Sequence, residues 1–120
     1  MNEWRLAAVE ARFADIIWAN APLTTARLVQ LCAEQLDWKR TTTYTVLGRL
    51  RERGLFENQG GTVTALVSRE EFYGHQSQQF VEESFAGSLP AFLAAFSAHK
   101  PLTPEEIADI RRLMDIIEEG

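Results

Sequence analysis

The sequence predicts a mostly α-helical fold that carries one small β-hairpin near the middle of the chain. Apolar residues recur at helical spacing in three consecutive segments of the first half. Two short strand-like runs then flank a pair of glycines, and helical periodicity returns after them. Helix, helix, helix, hairpin is the order of a winged helix-turn-helix, which we expect over residues 1–67. A helical region is expected over residues 68–120.

The first two helices are predicted from apolar residues on one face of each. The first helix is expected to end near Trp18, before the breaker Asn20-Ala21-Pro22. Thr24 or Thr25 is expected to cap the second. The apolar residues are Leu6, Val9, Phe13, Ile16 and Ile17 in the first helix, and Leu28, Val29, Cys32 and Leu36 in the second.

A third helix and the hairpin follow a short break at Asp37-Trp38. The helix is expected to start near Arg40 or Thr41 and to stop at Gly54, a residue type typical of helix ends. The strand-like runs are Leu55–Asn58 and Thr62–Val67, around the turn Gln59-Gly60-Gly61. The predicted core residues of the third helix are Thr43, Val46, Leu47 and Leu50.

The last part of the chain predicts three further helices from their start signals. Ser68 with Glu71 forms a capping-box pattern, and Ser88 can cap a short helix after Gly87. Thr103-Pro104-Glu105-Glu106 combines a cap, a first-position proline and a glutamate three residues after the cap.

Charge is distributed unevenly, although the net charge is −5. Residues 27–53 hold six basic and three acidic residues, whereas residues 70–120 hold ten acidic and three basic ones. The first stretch could therefore contact phosphate while the second avoids it. The candidate phosphate contacts are Arg27, Lys39, Arg40, Arg49, Arg51 and Arg53.

The face of the third helix opposite its core residues has a composition that favours DNA contact. A merely solvated face would carry better helix formers, and Gly48 costs about 1 kcal/mol relative to alanine. Short hydroxyl side chains and a glycine instead suit close approach to base edges and phosphates. The predicted groove face is Thr41, Thr42, Tyr44, Thr45 and Gly48. The alternative for this face is a weak helix start with a neutral glycine. The alternative for Arg49 is that it braces the core edge instead of touching phosphate.

Residues 38–55 (WKRTTTYTVLGRLRERGL) are similar to the recognition-helix signature of the BlaI/MecI/CopY family of penicillinase repressors. Residues 18–24, 84–89 and 102–107 also resemble family segments, in the right order. The positions that match the signature are Trp38, Thr42, Thr45, Leu47, Arg49, Leu50, Gly54 and Leu55.

This resemblance implies a bacterial homodimeric repressor that binds dyad-symmetric operators through its winged helix domain. It also implies dimerisation through the C-terminal helices, and about 50 residues cannot easily build a core alone. The alternative is that these helices fold back onto the winged domain. The candidate dimerisation residues are Phe72, Phe80, Phe85, Leu89, Phe92, Leu93, Phe96, Ile107, Ile110, Leu113, Met114 and Ile117.

Three departures from the family pattern bear on function. Residues 55–68 contain no Lys or Arg, so a wing contact must use backbone amides, Asn58, Gln59 or Thr62. A membrane metalloprotease is a candidate signalling partner by resemblance, but Ala95-Phe96 stands where antibiotic-responsive members have the cleaved Asn-Phe bond. The C-terminal cysteine cluster of the copper-responsive branch is missing, since Cys32 is the single cysteine.

Other function classes find little support in the sequence. No nucleophile–base constellation or phosphate-cradling loop is present, so we expect neither an enzyme nor a cofactor. Cys32 is expected to be a buried small hydrophobe, and His75 and His99 surface residues, with no metal site. The apolar runs are too short to span a bilayer, and the N-terminus is unlike a signal peptide, so we expect a cytoplasmic protein.

Two alternatives to a simple repressor stay open. One is a winged helix protein-interaction module that has lost DNA binding and docks a partner through its acidic C-terminal helices. The other keeps DNA binding and adds a small effector between the Phe-rich helices of a dimer.

Overall fold

The structure is a computed structural model that describes residues 6–120. Within that range it contains six helices and three strands, which confirms the predicted fold class. In chain order the elements are α1 (Ala8–Asn20), β1 (Leu23–Thr24), α2 (Thr25–Leu36), α3 (Arg40–Glu52), β2 (Phe56–Gln59), β3 (Thr62–Ala65), α4 (Arg69–Phe85), α5 (Leu89–His99) and α6 (Pro104–Glu119).

The strands form an antiparallel sheet in the order β1-β3-β2. The predicted hairpin is present, and Gly60 and Gly61 turn it with φ of +58° and +86°, a backbone that favours glycine. Its second strand ends at Ala65 rather than Val67. The sequence did not predict β1, where Leu23 pairs with Val63. Two residues are too few to show a strand periodicity, so only pairing defines this strand.

Helices α1, α2 and α3 enclose the core of the winged domain together with the sheet. Leu28, Leu50 and Phe56 have almost no exposed surface there. Leu31 joins them, although it was not among the predicted core residues. Val9 was predicted to face the core but is 46% exposed, because it lies on the first turn of α1 where little packs against it.

The helix ends follow the predicted caps, with one correction. The side chains of Thr24, Ser88 and Thr103 each accept a hydrogen bond from a backbone N–H three residues on. Ser68 and Glu71 form the predicted capping box. α1 runs to Asn20 rather than Trp18, since the Asn20 side chain donates to a carbonyl of the last turns and satisfies it there.

The chain divides into two compact units, Met1–Ser77 and Gln78–Gly120, and the division falls inside α4. The start of α4 belongs to the first unit. Phe72 and Tyr73 lie there with ring centroids 5.4 and 5.9 Å from that of Trp18, whose indole N–H donates to the carbonyl oxygen of Val67. Aromatic packing thus continues the winged domain beyond its hairpin.

Candidate nucleic-acid interface

Helix α3 is held by its buried face and by the turn that precedes it. All four predicted core residues of α3 are buried: Thr43, Val46, Leu47 and Leu50. Asp37 ends α2 in the left-handed conformation, with φ of 56°, and redirects the chain into α3. The Trp38 ring stacks on Phe13 of α1 at 5.3 Å between centroids, which fixes the turn against the core. The opposite face of α3 is left toward solvent.

Four of the five predicted groove-face residues are exposed, and Gly48 is half-buried. Thr41, Thr42 and Thr45 follow one another along the N-terminal turns of α3. The Thr45 hydroxyl donates to the Thr41 carbonyl oxygen at 2.9 Å, which fixes the side chain and leaves its methyl group for apolar contact. Apart from Tyr44, the face therefore consists of short side chains.

The fold itself does not require glycine at position 48. A Cβ atom built on Gly48 would meet no heavy atom within 4 Å, and its backbone is helical. Neither close packing inside the chain nor an unusual dihedral angle accounts for the residue. An external surface that approaches the helix closely would account for it.

Tyr44 is oriented by residues on two helices. Its hydroxyl hydrogen-bonds with the Thr25 side chain at the start of α2, and the Arg40 guanidinium carbon lies 5.8 Å from its ring centroid. The Thr25 hydrogen bond, followed by Arg40, lowers the pKa of Tyr44 below its ordinary value. Thr25 also donates its backbone N–H to the Gly61 carbonyl oxygen at 2.9 Å. Sequence reasoning did not find this link between the hairpin turn and α3.

The predicted phosphate contacts fall into two groups. The first consists of exposed cations on α2, on α3 and at the start of α3: Arg27, Lys39, Arg40 and Arg51. The second consists of Arg49 and Arg53, whose Nη1 atoms lie 3.3 and 3.7 Å from the two carboxylate oxygens of Glu10. Arg49 therefore pairs with a buried acid of α1, while its side chain stays 53% exposed.

Glu10 is a residue that sequence reasoning missed. It is 8% exposed on α1, and it also accepts the Ala7 backbone N–H at 3.2 Å. The signal in the sequence was its position, three residues before Phe13 and seven before Ile17. That spacing puts an acid on the buried face, where a charge requires a partner.

The hairpin offers few groups for DNA contact. Gln59 donates its side-chain amide to Glu57 at 2.8 Å, and the Asn58 side-chain oxygen is buried without a hydrogen-bond partner. Thr62 is exposed at the turn. Of the three wing residues suggested from sequence, Thr62 is thus the one whose side chain is most available.

In the second unit, residues 78–120, the apolar side chains all remain at least partly exposed. None of residues 78–120 is buried, although Phe80, Phe85 and Phe92 contact one another at 5.6–6.0 Å between ring centroids. Leu93, Leu102, Ile107 and Ile110 line a groove between α5 and α6. The most exposed apolar residues are Leu89, Leu113, Met114, Ile116 and Ile117, each more than half exposed.

Phe72 requires a correction among the candidate dimerisation residues. It is 0% exposed and lies in the core of the first unit, beside Trp18. A side chain with no exposed surface in the single chain has none to offer a second one.

Other chemistry-bearing residues stand apart from these surfaces. Cys32 is buried, as expected, and burial raises the pKa of its thiol. His75 and His99 are exposed. Over residues 6–120 no three His, Cys, Asp or Glu side chains come together as metal ligands would. In the same range no helix combines the length and the apolar character needed to cross a bilayer.

Comparison with known proteins gives one family. The model of the family described as penicillinase repressor matches residues 6–116, which extend over most of both units and include every element described above except the end of α6. No curated protein matches the chain.

Proposed function

The chain belongs to the penicillinase repressor family, a family of transcriptional repressors, and from this premise we propose that it represses transcription as a homodimer bound to a dyad-symmetric DNA operator. The dimer would act by occlusion, since a protein seated on a promoter denies the polymerase access to it. The family is not one of enzymes, and the proposed activity is binding alone.

The observation that carries the proposal is the exposed face of α3. It combines short hydroxyl side chains with a glycine that the fold does not require, and cations lie on both sides of it. In helix-turn-helix proteins the N-terminal part of the second helix of the motif enters the major groove. In this chain that part of α3 carries Thr41, Thr42 and Thr45. We propose that Tyr44 and Gly48 complete this surface.

The basic residues have a different proposed role. Contacts to phosphate fix the register of a protein on DNA and supply most of the salt-dependent affinity. We assign this role to all six candidates, Arg27, Lys39, Arg40, Arg49, Arg51 and Arg53. Arg49 and Arg53 would meet phosphate with part of each guanidinium held by Glu10. The other four would meet it directly: Arg27, Lys39, Arg40 and Arg51.

The homodimer is supported by the state of the second unit. A unit in which no residue is buried gains little from the hydrophobic effect. A second copy would cover the exposed apolar side chains of α5 and α6. The proposed interface is Phe80, Phe85, Leu89, Phe92, Leu93, Phe96, Ile107, Ile110, Leu113, Met114 and Ile117.

The test is selection of bound sequences from a pool of random DNA duplexes at two salt concentrations. The proposal predicts an enriched palindrome whose half-sites lie about one helical turn apart. Weak binding that enriches no sequence and vanishes with salt would contradict it. That result would favour the protein-interaction module, which also accounts for a hairpin without Lys or Arg.

A further inference from the structure

A buried carboxylate connects α1 to the C-terminal half of α3. Glu10 is 8% exposed, and its two oxygens face Arg49 Nη1 at 3.3 Å and Arg53 Nη1 at 3.7 Å. The oxygen near Arg53 also accepts the Ala7 backbone N–H. The Glu10 side chain thus caps the start of α1. It also holds two cations that lie one turn apart at the end of α3, Arg49 and its C-cap residue Arg53.

Stability alone is a poor reason for this arrangement. Taking a carboxylate out of water is costly, and apolar residues often replace buried ion pairs without loss of stability. What a carboxylate adds is placement, because its two oxygens draw one Nη1 atom of each arginine to a set position beside α1. Arg49 remains 53% exposed and Arg53 30% exposed. Both guanidiniums therefore keep solvent-facing surface while Glu10 holds them in place.

We infer that Glu10 is a positioning residue for DNA binding, which presets Arg49 and Arg53 for phosphate contact beside the groove face of α3. The inference rests on the proposed function. Arginine has five N–H donors, so the pair that Arg49 makes with one carboxylate leaves donors of Arg49 for a phosphate oxygen. Preorganised donors lose less conformational entropy when the phosphate arrives.

Charge and positioning predict opposite effects of removing this carboxylate. A negative charge near phosphate repels it, so by charge alone Glu10→Gln would strengthen binding to all DNA. Positioning matters only where phosphates occupy set places, which is the case in a register-fixed operator complex. The inference therefore predicts weaker operator binding by Glu10→Gln, together with random-DNA binding that is unchanged or stronger.

The experiment compares operator and random duplex affinities of the full-length wild type and Glu10→Gln. Glutamine keeps the shape and an oxygen for the Ala7 N–H, but it places an amide group before Arg49 in exchange for a carboxylate oxygen. We expect the ratio of operator to random affinity to fall about tenfold, as for loss of one charge-assisted hydrogen bond. Thermal unfolding of both proteins confirms that the variant is folded.

Asp15→Asn is the matched control. It removes another carboxylate of α1, which pairs with Arg69 of α4 at 2.9 Å. We expect it to leave the operator-to-random ratio at the wild-type value. An equal fall in both variants would overturn the inference, because it would show that loss of a carboxylate from α1 lowers the ratio whether or not that carboxylate pairs with Arg49 and Arg53.

A double-mutant cycle with Arg49→Gln separates positioning from a general structural effect. If Glu10 acts through Arg49, the two substitutions together cost less operator affinity than the sum of their separate losses. Additive losses would overturn the inference. A wild-type ratio of operator to random affinity in Glu10→Gln would overturn the inference but would not contradict the proposed repressor function. A wild-type chain without sequence preference would instead overturn the proposed function, and the inference with it.

Discussion

Replacement of Gly48 by alanine should change stability and DNA binding in opposite directions. Gly48 lies in the interior of α3, and the added Cβ would meet no heavy atom within 4 Å. Alanine is better than glycine in a helix interior by about 0.8–1.0 kcal/mol, mainly because it leaves the unfolded chain less freedom. With no clash to subtract, we expect the full gain in the free energy of unfolding.

The expected loss on the DNA side follows from the same geometry. A methyl group that projects into empty space in the free protein would project into the groove in the proposed complex. Overpacking a close contact by one methyl costs about 1–3 kcal/mol, which is roughly a 5- to 150-fold weaker operator affinity. The stability gain should raise the melting temperature by about 4–8 °C for a cooperative unit of 60–100 residues.

The assay pairs thermal unfolding at fixed protein concentration with titration of operator DNA. Gly74→Ala is the matched control, since Gly74 is exposed inside α4 and its Cβ would also meet nothing within 4 Å. Both variants should be stabilised by similar amounts, and Gly48→Ala alone should lose operator affinity. Equal operator binding by the two variants would refute the close approach at Gly48. A destabilised Gly48→Ala would refute the reasoning about open space in α3.

Three further outcomes are expected. Phenolate absorbance should titrate in two steps, with Tyr44 below the ordinary tyrosine pKa because of its hydrogen bonds and Tyr73 above it because of burial. Tyr44→Phe must remove the step at lower pH. The free energy of unfolding that the Tyr44 phenolate contributes should be lost as pH falls through the pKa of Tyr44 in the folded protein. Lys39→Ala should weaken binding to all sequences and reduce the salt slope by about 1, and an unchanged slope would rule out a phosphate contact. Met114→Asp should raise the dissociation constant of the dimer at least about tenfold, as measured by analytical ultracentrifugation. Ala108→Asp, on the other side of α6, should leave that constant unchanged. A wild-type chain that sediments as a monomer would contradict the dimer itself.

Local pattern was enough to predict most of the helices and their ends. The caps at Thr24, Ser88 and Thr103 could be predicted because a short hydroxyl before an apolar periodic run satisfies free N–H groups wherever it occurs. The buried face of α3 could be predicted because helical spacing alone puts its apolar residues on one side. These features need no knowledge of what packs against them.

Contacts distant in sequence could not be predicted in this way. β1 exists because Leu23 meets Val63 across the sheet. Phe72 belongs to the winged domain and not to an interface, because it packs on Trp18, far away along the chain. Periodicity showed that Phe72 is on an apolar face, but it did not show which surface that face would meet.

The sequence by itself determined the order of the helices and the hairpin, the family and the candidate groove face, since each depends on residue types at short spacing. Only the tertiary structure decided how the arginines of α3 are used. Arg49 and Arg53 are held by Glu10, which is 39 residues before Arg49 in the chain. The physical reason is that a buried carboxylate must find its cations in space, and chain folding alone brings the start of α1 to the end of α3.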